Sequence, residues 1–85
     1  MTHALKTWPQ YFKEVKDGNK QFELRKNDRN FKIGDKVLLQ EYHYEAGYTG
    51  DELEFTICYM LADAEKFGLK KGYVILGLKV KEHYV

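Results

Sequence analysis

The residues that could do chemistry are concentrated at positions 18–29, where apolar and polar side chains alternate as in a strand with one buried face. The apolar side chains are Phe22 and Leu24. The polar row has four members: Gln21, Glu23, Arg25 and Asn27. Because successive side chains of a strand point to opposite faces, we expect Phe22 and Leu24 to be buried and the polar row to be exposed. The polar row is therefore the candidate site.

Glu23 and Arg25 have complementary binding chemistry. They lie two positions apart on one face of the predicted strand, about 6.6 Å along it, so they can pair or bind different atoms of one ligand. A guanidinium binds phosphate or a base edge with two hydrogen bonds, and a carboxylate accepts from exocyclic amino groups such as that of cytosine. If the strand already includes Lys20, its side chain points to the opposite face. Lys20 can therefore join Glu23 and Arg25 only if it lies on the preceding turn. The structural alternative is a surface ion pair worth under about 1 kcal/mol.

This part of the chain is basic, although the formal net charge of the whole protein is only +1. Between positions 20 and 36, six basic residues accompany three acidic ones. The overall charge does not indicate nucleic-acid binding. The local excess of basic residues could nevertheless accompany phosphate binding by Lys26, Arg29 or Lys6. A solvated loop and strand edge is the alternative interpretation.

Two aromatic residues are candidates for stacking on a base. Trp8 stands at the start of a predicted helix, where a place in the core is the stronger expectation and a stacking platform the weaker one. Tyr48 lies between two glycines in a predicted connection, Glu45 to Asp51, that is long for a hairpin. Long loops of this kind carry binding residues, so we expect Tyr48 to be exposed and able to cover a ligand.

The sequence contains no familiar catalytic or metal-binding pattern. It has no serine, one cysteine on a predicted strand and three scattered histidines, His3, His43 and His83. We therefore expect no metal ion, no cofactor and no conventional hydrolase mechanism. A single cysteine excludes an internal disulfide and fits a reducing compartment, and no signal peptide or long apolar run is visible. We predict a cytoplasmic protein that does not associate with membranes.

One helix and four strands are predicted to position these side chains. Thr7 is the expected helix cap, with Gln10 three residues later as a capping box requires, and Gly18 ends the helix. The predicted strands are Gln21 to Lys26, Lys36 to Tyr44, Glu52 to Leu61, and Tyr73 to Lys81. In the third strand, alternation predicts an inward row of Leu53, Phe55, Ile57, Tyr59 and Leu61. In the last strand it predicts a row of Val74, Leu76, Leu78 and Val80.

These elements predict a mixed α+β fold that is mainly β. Eighty-five residues are enough for one domain, 1–85, with a modest core. Strands with one apolar face each, closing around a small core, give a compact β-barrel with the short N-terminal helix packed at one end.

The stretch GNKQFELR at 18–25 resembles the G-x-K-x-x-E-x-R signature of the ASCH domain, the activating-signal-cointegrator homology domain of the PUA-like superfamily. Further motifs are similar to a small bacterial and phage branch of uncharacterised function. They are HALK at 3–6, KNDR at 26–29, Phe31, GD at 34–35, YTG at 48–50 and GYVIL at 72–76. The resemblance covers nearly the whole chain. It implies a PUA-like β-barrel that binds RNA or a modified nucleotide in a cleft beside the signature strand.

Carried onto matching positions, the resemblance implies that Lys20, Glu23 and Arg25 line the cleft, with Lys6, Asn27 and Arg29 nearby. The leading hypothesis is a nucleotide- or RNA-binding domain. Its expected binding residues are Lys6, Trp8, Lys20, Glu23, Arg25, Lys26, Asn27, Arg29 and Tyr48.

Some small ASCH proteins are amidohydrolases that deacetylate a modified cytidine with a Lys and a Thr of the signature. This chain keeps the Lys as Lys20 but has Glu23 at the position of the Thr, which favours binding over catalysis. The alternative is an amidohydrolase acting on an acylated nucleoside such as N4-acetylcytidine, with Lys20 as base or nucleophile and Glu23 transferring protons. A protein-interaction module is the third possibility.

Overall fold

The computed structural model describes residues 1–80, which form one curled sheet of five strands with a single short α-helix. The elements are β1 (Thr2–Thr7), α1 (Pro9–Lys16), β2 (Phe22–Lys26), β3 (Lys36–His43), β4 (Gly47–Leu61), a 3₁₀ turn (Glu65–Phe67) and β5 (Tyr73–Val80). The strand order is β1-β3-β4-β5-β2, with β1 parallel to β3 and the other pairs antiparallel. The prediction of a mainly β fold with one short helix is confirmed. The sheet is a half-barrel with β1 and β2 at its edges.

The interior of the half-barrel is apolar. Its core consists of Leu5, Phe12, Val15, Phe31, Val37, Leu39, Phe55, Ile57, Val74, Leu76 and Leu78. Helix α1 contributes two of these side chains, which fixes it against the sheet beside β3. Within residues 1–80, no helix has the length and apolar character needed to cross a membrane.

Strand β1 was not expected from the sequence. Its inward row consists of His3, Leu5 and Thr7, and two of these three side chains are polar, so the apolar alternation typical of a strand is hidden. His3 donates from Nε2 to the Asp35 carboxylate at 2.8 Å, and this hydrogen bond is the main cause that lowers the pKa of Asp35. Thr7 is therefore the last strand residue and not the helix cap, a position that Trp8 occupies without a side-chain hydrogen bond.

The expected parity of β2 was wrong. Glu23 is 3% exposed, whereas Phe22 and Leu24 are 46% and 52% exposed. The interior face of this edge strand thus carries a carboxylate and the outer face carries the apolar side chains. The inversion is possible because cations from two other positions satisfy the carboxylate, as described for the site below.

Strand β4 corrects two further expectations. It begins at Gly47, so most of the supposed loop from Glu45 to Asp51 belongs to a hairpin in which Tyr48 pairs with Tyr42. A register shift between Ile57 and Tyr59 then reverses which side chains face inward. As a result Tyr59 is 61% exposed and Leu61 is also exposed, while Met60 packs against the core.

The fourth predicted strand is found as β5, with an inward row of Val74, Leu76 and Leu78. Val80 is exposed and does not continue this row as expected. Lys81, the predicted end of this strand, lies outside the described residues, as does His83.

The register shift in β4 predicts that two alanine substitutions in this strand change the free energy of unfolding by very different amounts. Ile57→Ala removes a fully buried side chain and should lower the free energy of unfolding by about 2–5 kcal/mol. Tyr59→Ala, on the exposed side, should change it by about 0.5 kcal/mol or less. Urea unfolding of both variants measures the difference. Equal losses would mean that the alternation continues through the strand and that the register shift is absent.

Candidate binding cleft

A cleft of about 590 Å³ opens where the end of β1 meets α1 and β2. Its walls come from two segments of the chain. The first segment contributes Lys6, Thr7, Trp8 and Tyr11, and the second contributes Lys20, Phe22, Glu23, Leu24 and Arg25. The edge strands are far apart in the sheet order, and the curl of the half-barrel brings them to opposite sides of this cleft.

The buried carboxylate of Glu23 is the electrostatic centre of the cleft. Its Oε1 accepts a hydrogen bond from Lys20 Nζ at 2.6 Å, and its Oε2 accepts one from Arg25 Nε at 3.0 Å. Arg25 reaches it because the two residues share one face of β2. Lys20 reaches it from the turn before β2, where Nζ also donates to the carbonyl oxygen of Phe22 at 2.8 Å. This arrangement is a three-residue network around a buried carboxylate and not a surface ion pair.

Arginine side chains connect the two edges of the sheet. Arg25 Nη2 donates to the carbonyl oxygen of Lys6 at 2.7 Å, and Arg29 Nη1 donates to that of Ala4 at 2.6 Å. Residues two apart on a strand direct their carbonyls to the same side, so both acceptors lie along one edge of β1. The guanidinium groups occupy hydrogen-bonding positions that a neighbouring strand would otherwise take, which protects this edge from non-specific pairing.

The rim of the cleft is aromatic and apolar. Trp8 is 53% exposed, and Tyr11, Phe22 and Leu24 are exposed to a similar extent. The expectation that Trp8 packs in the core was therefore wrong. Apolar side chains gathered in a cleft, and not scattered singly over the surface, are typical of an interaction site.

Sequence reasoning expected Phe22 and Leu24 to be buried and Thr7 to cap the helix, and it did not select Tyr11 as a site residue, so it missed four members of the cleft wall. Phe22 and Leu24 reach the cleft because the parity of β2 is inverted, with the Glu23 side chain turned inward. Alternation along the strand fits either parity, so this pattern alone could not choose between them.

Four residues expected at the site lie outside the walls of this cleft. Lys26 is exposed on β2, and Asn27 accepts a hydrogen bond from the backbone N–H of Phe31 at 3.1 Å through Oδ1, so it organises a turn. The Arg29 side chain donates a hydrogen bond to the Ala4 carbonyl oxygen of β1. Tyr48 packs edge to face against Tyr42, with ring centroids 5.0 Å apart.

The Lys6 side chain lies outside the carboxylate network. Its Nζ is 4.5 Å from the ring centroid of Tyr42 and 5.7 Å from that of Tyr48, a cation–π arrangement. It is thus a cation at the edge of the cleft, next to two further aromatic rings.

The described residues offer no obvious place for a metal ion. Across positions 1–80, no three His, Cys, Asp or Glu side chains form a group that could hold one. Cys58 is exposed on β4, away from the cleft walls, and is a free thiol. The walls of the cleft supply cations, a single carboxylate, the hydroxyls of Thr7 and Tyr11, and the aromatic rim.

Comparison with known proteins identifies a family. A family model described as a domain of unknown function, DUF3850, matches residues 2–78. An uncharacterised 12.9 kDa protein in the GpA 3′ region of Escherichia phage P2 is 38% identical over 55 residues. The alignment covers 65% of this chain and 50% of the phage protein, so this chain matches half the length of that relative.

The three-residue network makes the charge of Glu23 important for stability. Glu23→Gln leaves Lys20 and Arg25 without their anion and should lower the free energy of unfolding by about 2–3 kcal/mol. The loss is below that of a fully buried pair because both cations retain some exposure to water. Glu54→Gln, at an exposed position of β4, is the matched control and should change it by about 0.5 kcal/mol or less. Equal effects in urea unfolding would contradict the central role of the carboxylate.

Proposed function

The chain belongs to the DUF3850 family, and on the geometry of its cleft we propose that it binds RNA or a nucleotide. A base stacks against the aromatic rim, and phosphate or base-edge oxygens accept hydrogen bonds from the cations. The observation that carries the proposal is the combination of exposed rings and charged donors on the walls of one cleft.

The donors in the cleft retain hydrogen-bonding capacity. A guanidinium has five N–H groups, and the bonds to Glu23 and to the Lys6 carbonyl use two of those of Arg25. An ammonium has three, and the bonds to Glu23 and to the Phe22 carbonyl use two of those of Lys20. The remaining N–H groups can be donated to a ligand without breaking the network. Charge-assisted bonds of this kind suit phosphate oxygens.

The size of the cleft favours a single nucleotide over a duplex. A volume of about 590 Å³ lies in the range of small-molecule sites, roughly 300–1,000 Å³. Bases in double-stranded RNA are stacked and paired, whereas an unpaired base can be splayed out onto an aromatic side chain. The proposed ligand is therefore a free nucleotide or one nucleotide of a single strand.

The resemblance to the ASCH domain supports the same proposal. Lys20, Glu23 and Arg25, the residues that match its signature, all belong to the wall of the cleft. We include the PUA-like assignment in the proposal on this basis. The half-barrel sheet with a short helix beside the cleft is compatible with that superfamily.

The only tryptophan of the chain, Trp8, stands on the rim and provides a direct reporter of binding. Titration with a single-stranded RNA of about ten nucleotides should change its fluorescence in a saturable way. Arg25→Ala and Phe22→Ala should each weaken binding about tenfold, since stacking and charge-assisted bonds are worth roughly 1–3 kcal/mol. Added salt should weaken binding because phosphate contacts release counterions.

Lys66→Ala is the control for charge, since Lys66 lies on the 3₁₀ turn outside the cleft walls, and it should bind as the unmodified protein does. Phe22→Ala alters an exposed ring and tests the cleft even if Arg25→Ala unfolds. Binding that neither variant weakens, or no binding of RNA and free nucleotides at all, would refute the proposal.

Amide hydrolysis is the second candidate, favoured by the close contact of Lys20 with the Glu23 carboxylate inside the cleft. It ranks second because an ammonium that donates to two oxygens has no lone pair with which to act as base or nucleophile. On the binding hypothesis, incubation with N4-acetylcytidine should yield no acetate above the uncatalysed rate. Acetate release that Lys20→Ala abolishes would establish the hydrolase instead.

A further inference from the structure

The hydroxyl of Thr7 is the buried side-chain polar atom that lacks a hydrogen-bond partner among the described residues. Thr7 is 3% exposed, ends the inward row of β1 and belongs to the wall of the cleft. Polar groups buried in proteins almost always have a partner, and each exception needs an explanation.

The neighbouring buried polar side chains are satisfied. His3, in the same row of β1, bonds to Asp35, and Glu23, across the cleft, bonds to Lys20 and Arg25. A hydroxyl without a partner destabilises the folded state relative to an apolar group of the same shape. The Thr7 hydroxyl therefore lowers the stability of the folded state at the place where the cleft reaches the interior of the half-barrel.

We propose that the Thr7 hydroxyl is a ligand contact and that its missing partner is a polar group on the edge of the bound base. This inference rests on the proposed function and adds a residue that contacts the edge of the base. A hydroxyl both donates and accepts, so it can pair with an exocyclic amino group or with a carbonyl oxygen. The ligand class is thus a nucleotide whose base carries such a group and lies against the rim formed by Trp8 and Phe22.

The position of Thr7 between Lys6 and Trp8 fits this role. Trp8 supplies a half-exposed ring at the rim, Lys6 supplies a cation at the edge, and Thr7 lies deeper than both. Its hydroxyl is inaccessible to solvent in the free protein, so side chains must move for a ligand to reach it. Changes of side-chain rotamer on binding are common, and half-exposed rings can move without opening the core.

Two substitutions separate the hydroxyl from the shape of Thr7. Thr7→Val replaces the hydroxyl by a methyl group of similar size, and Thr7→Ser keeps the hydroxyl while removing the methyl. Binding of the same single-stranded RNA, followed by Trp8 fluorescence, should be about tenfold weaker in Thr7→Val and within about twofold of the unmodified protein in Thr7→Ser.

Thermal unfolding without ligand provides an independent readout. Because no partner is lost, Thr7→Val should leave Tm unchanged or raise it by roughly 4–8 °C, whereas a hydroxyl with a structural role would lower it. If the unmodified protein binds RNA and Thr7→Val binds it equally well, the inference is overturned and the proposed function stands. A lower Tm of free Thr7→Val also overturns the inference. Absence of RNA binding by the unmodified protein is a failure of the proposed function itself.

Discussion

The arrangement of the cleft depends on one buried carboxylate and the two cations that neutralise it. An ionised Glu23 is costly to remove from water and requires both Lys20 and Arg25 within hydrogen-bonding distance. Lys20 fixes the turn that leads into β2. Arg25 extends to the Lys6 carbonyl and so connects β2 to the opposite edge of the sheet. A single charge thus couples the entry to β2, the strand itself and the end of β1.

The same constraint explains why the cleft combines charged and apolar walls. Because the carboxylate occupies the inward face of β2, the neighbouring Phe22 and Leu24 face outward and line the cleft together with the exposed rings of Trp8 and Tyr11. In a strand with the usual parity these apolar side chains would fill the core and the cations would be dispersed in solvent. The inverted parity instead assembles rings and donors side by side, as recognition of a nucleotide requires.

The sequence predicted much of the architecture, namely α1, β3 and β5, because their apolar periodicity is strong and local. It missed β1, since His3 and Thr7 interrupt the apolar row, and it assigned Tyr59 to the core because a register shift leaves no mark on alternation. The parity of β2 could not be read from Phe22 and Leu24 alone. It depends on whether the Glu23 carboxylate, paired with Lys20 and Arg25, faces inward, and the alternation along the strand fits either arrangement.

The candidate site was predictable to a similar extent. Spacing along one strand, together with the resemblance to the ASCH signature, predicted Lys20, Glu23 and Arg25 as candidate site residues, and all three lie in one cleft wall. Two of the surrounding wall residues were not chosen from the sequence, because Thr7 ends a strand that was not expected and the place of Tyr11 depends on how α1 packs in the folded protein. Conversely, Asn27 and Arg29 have side chains suited to binding but are engaged in turn and edge contacts.

Backbone amide chemical shifts during titration with cytidine 5′-monophosphate test the central claim most directly, since they report on every part of the sheet at once. The account predicts saturable shifts concentrated at positions 6–11 and 20–25, with the Trp8 indole N–H among the largest, and little change near the 3₁₀ turn at Glu65–Phe67. Saturable shifts centred on that turn, or none at 6–11 and 20–25 at millimolar nucleotide, would contradict it.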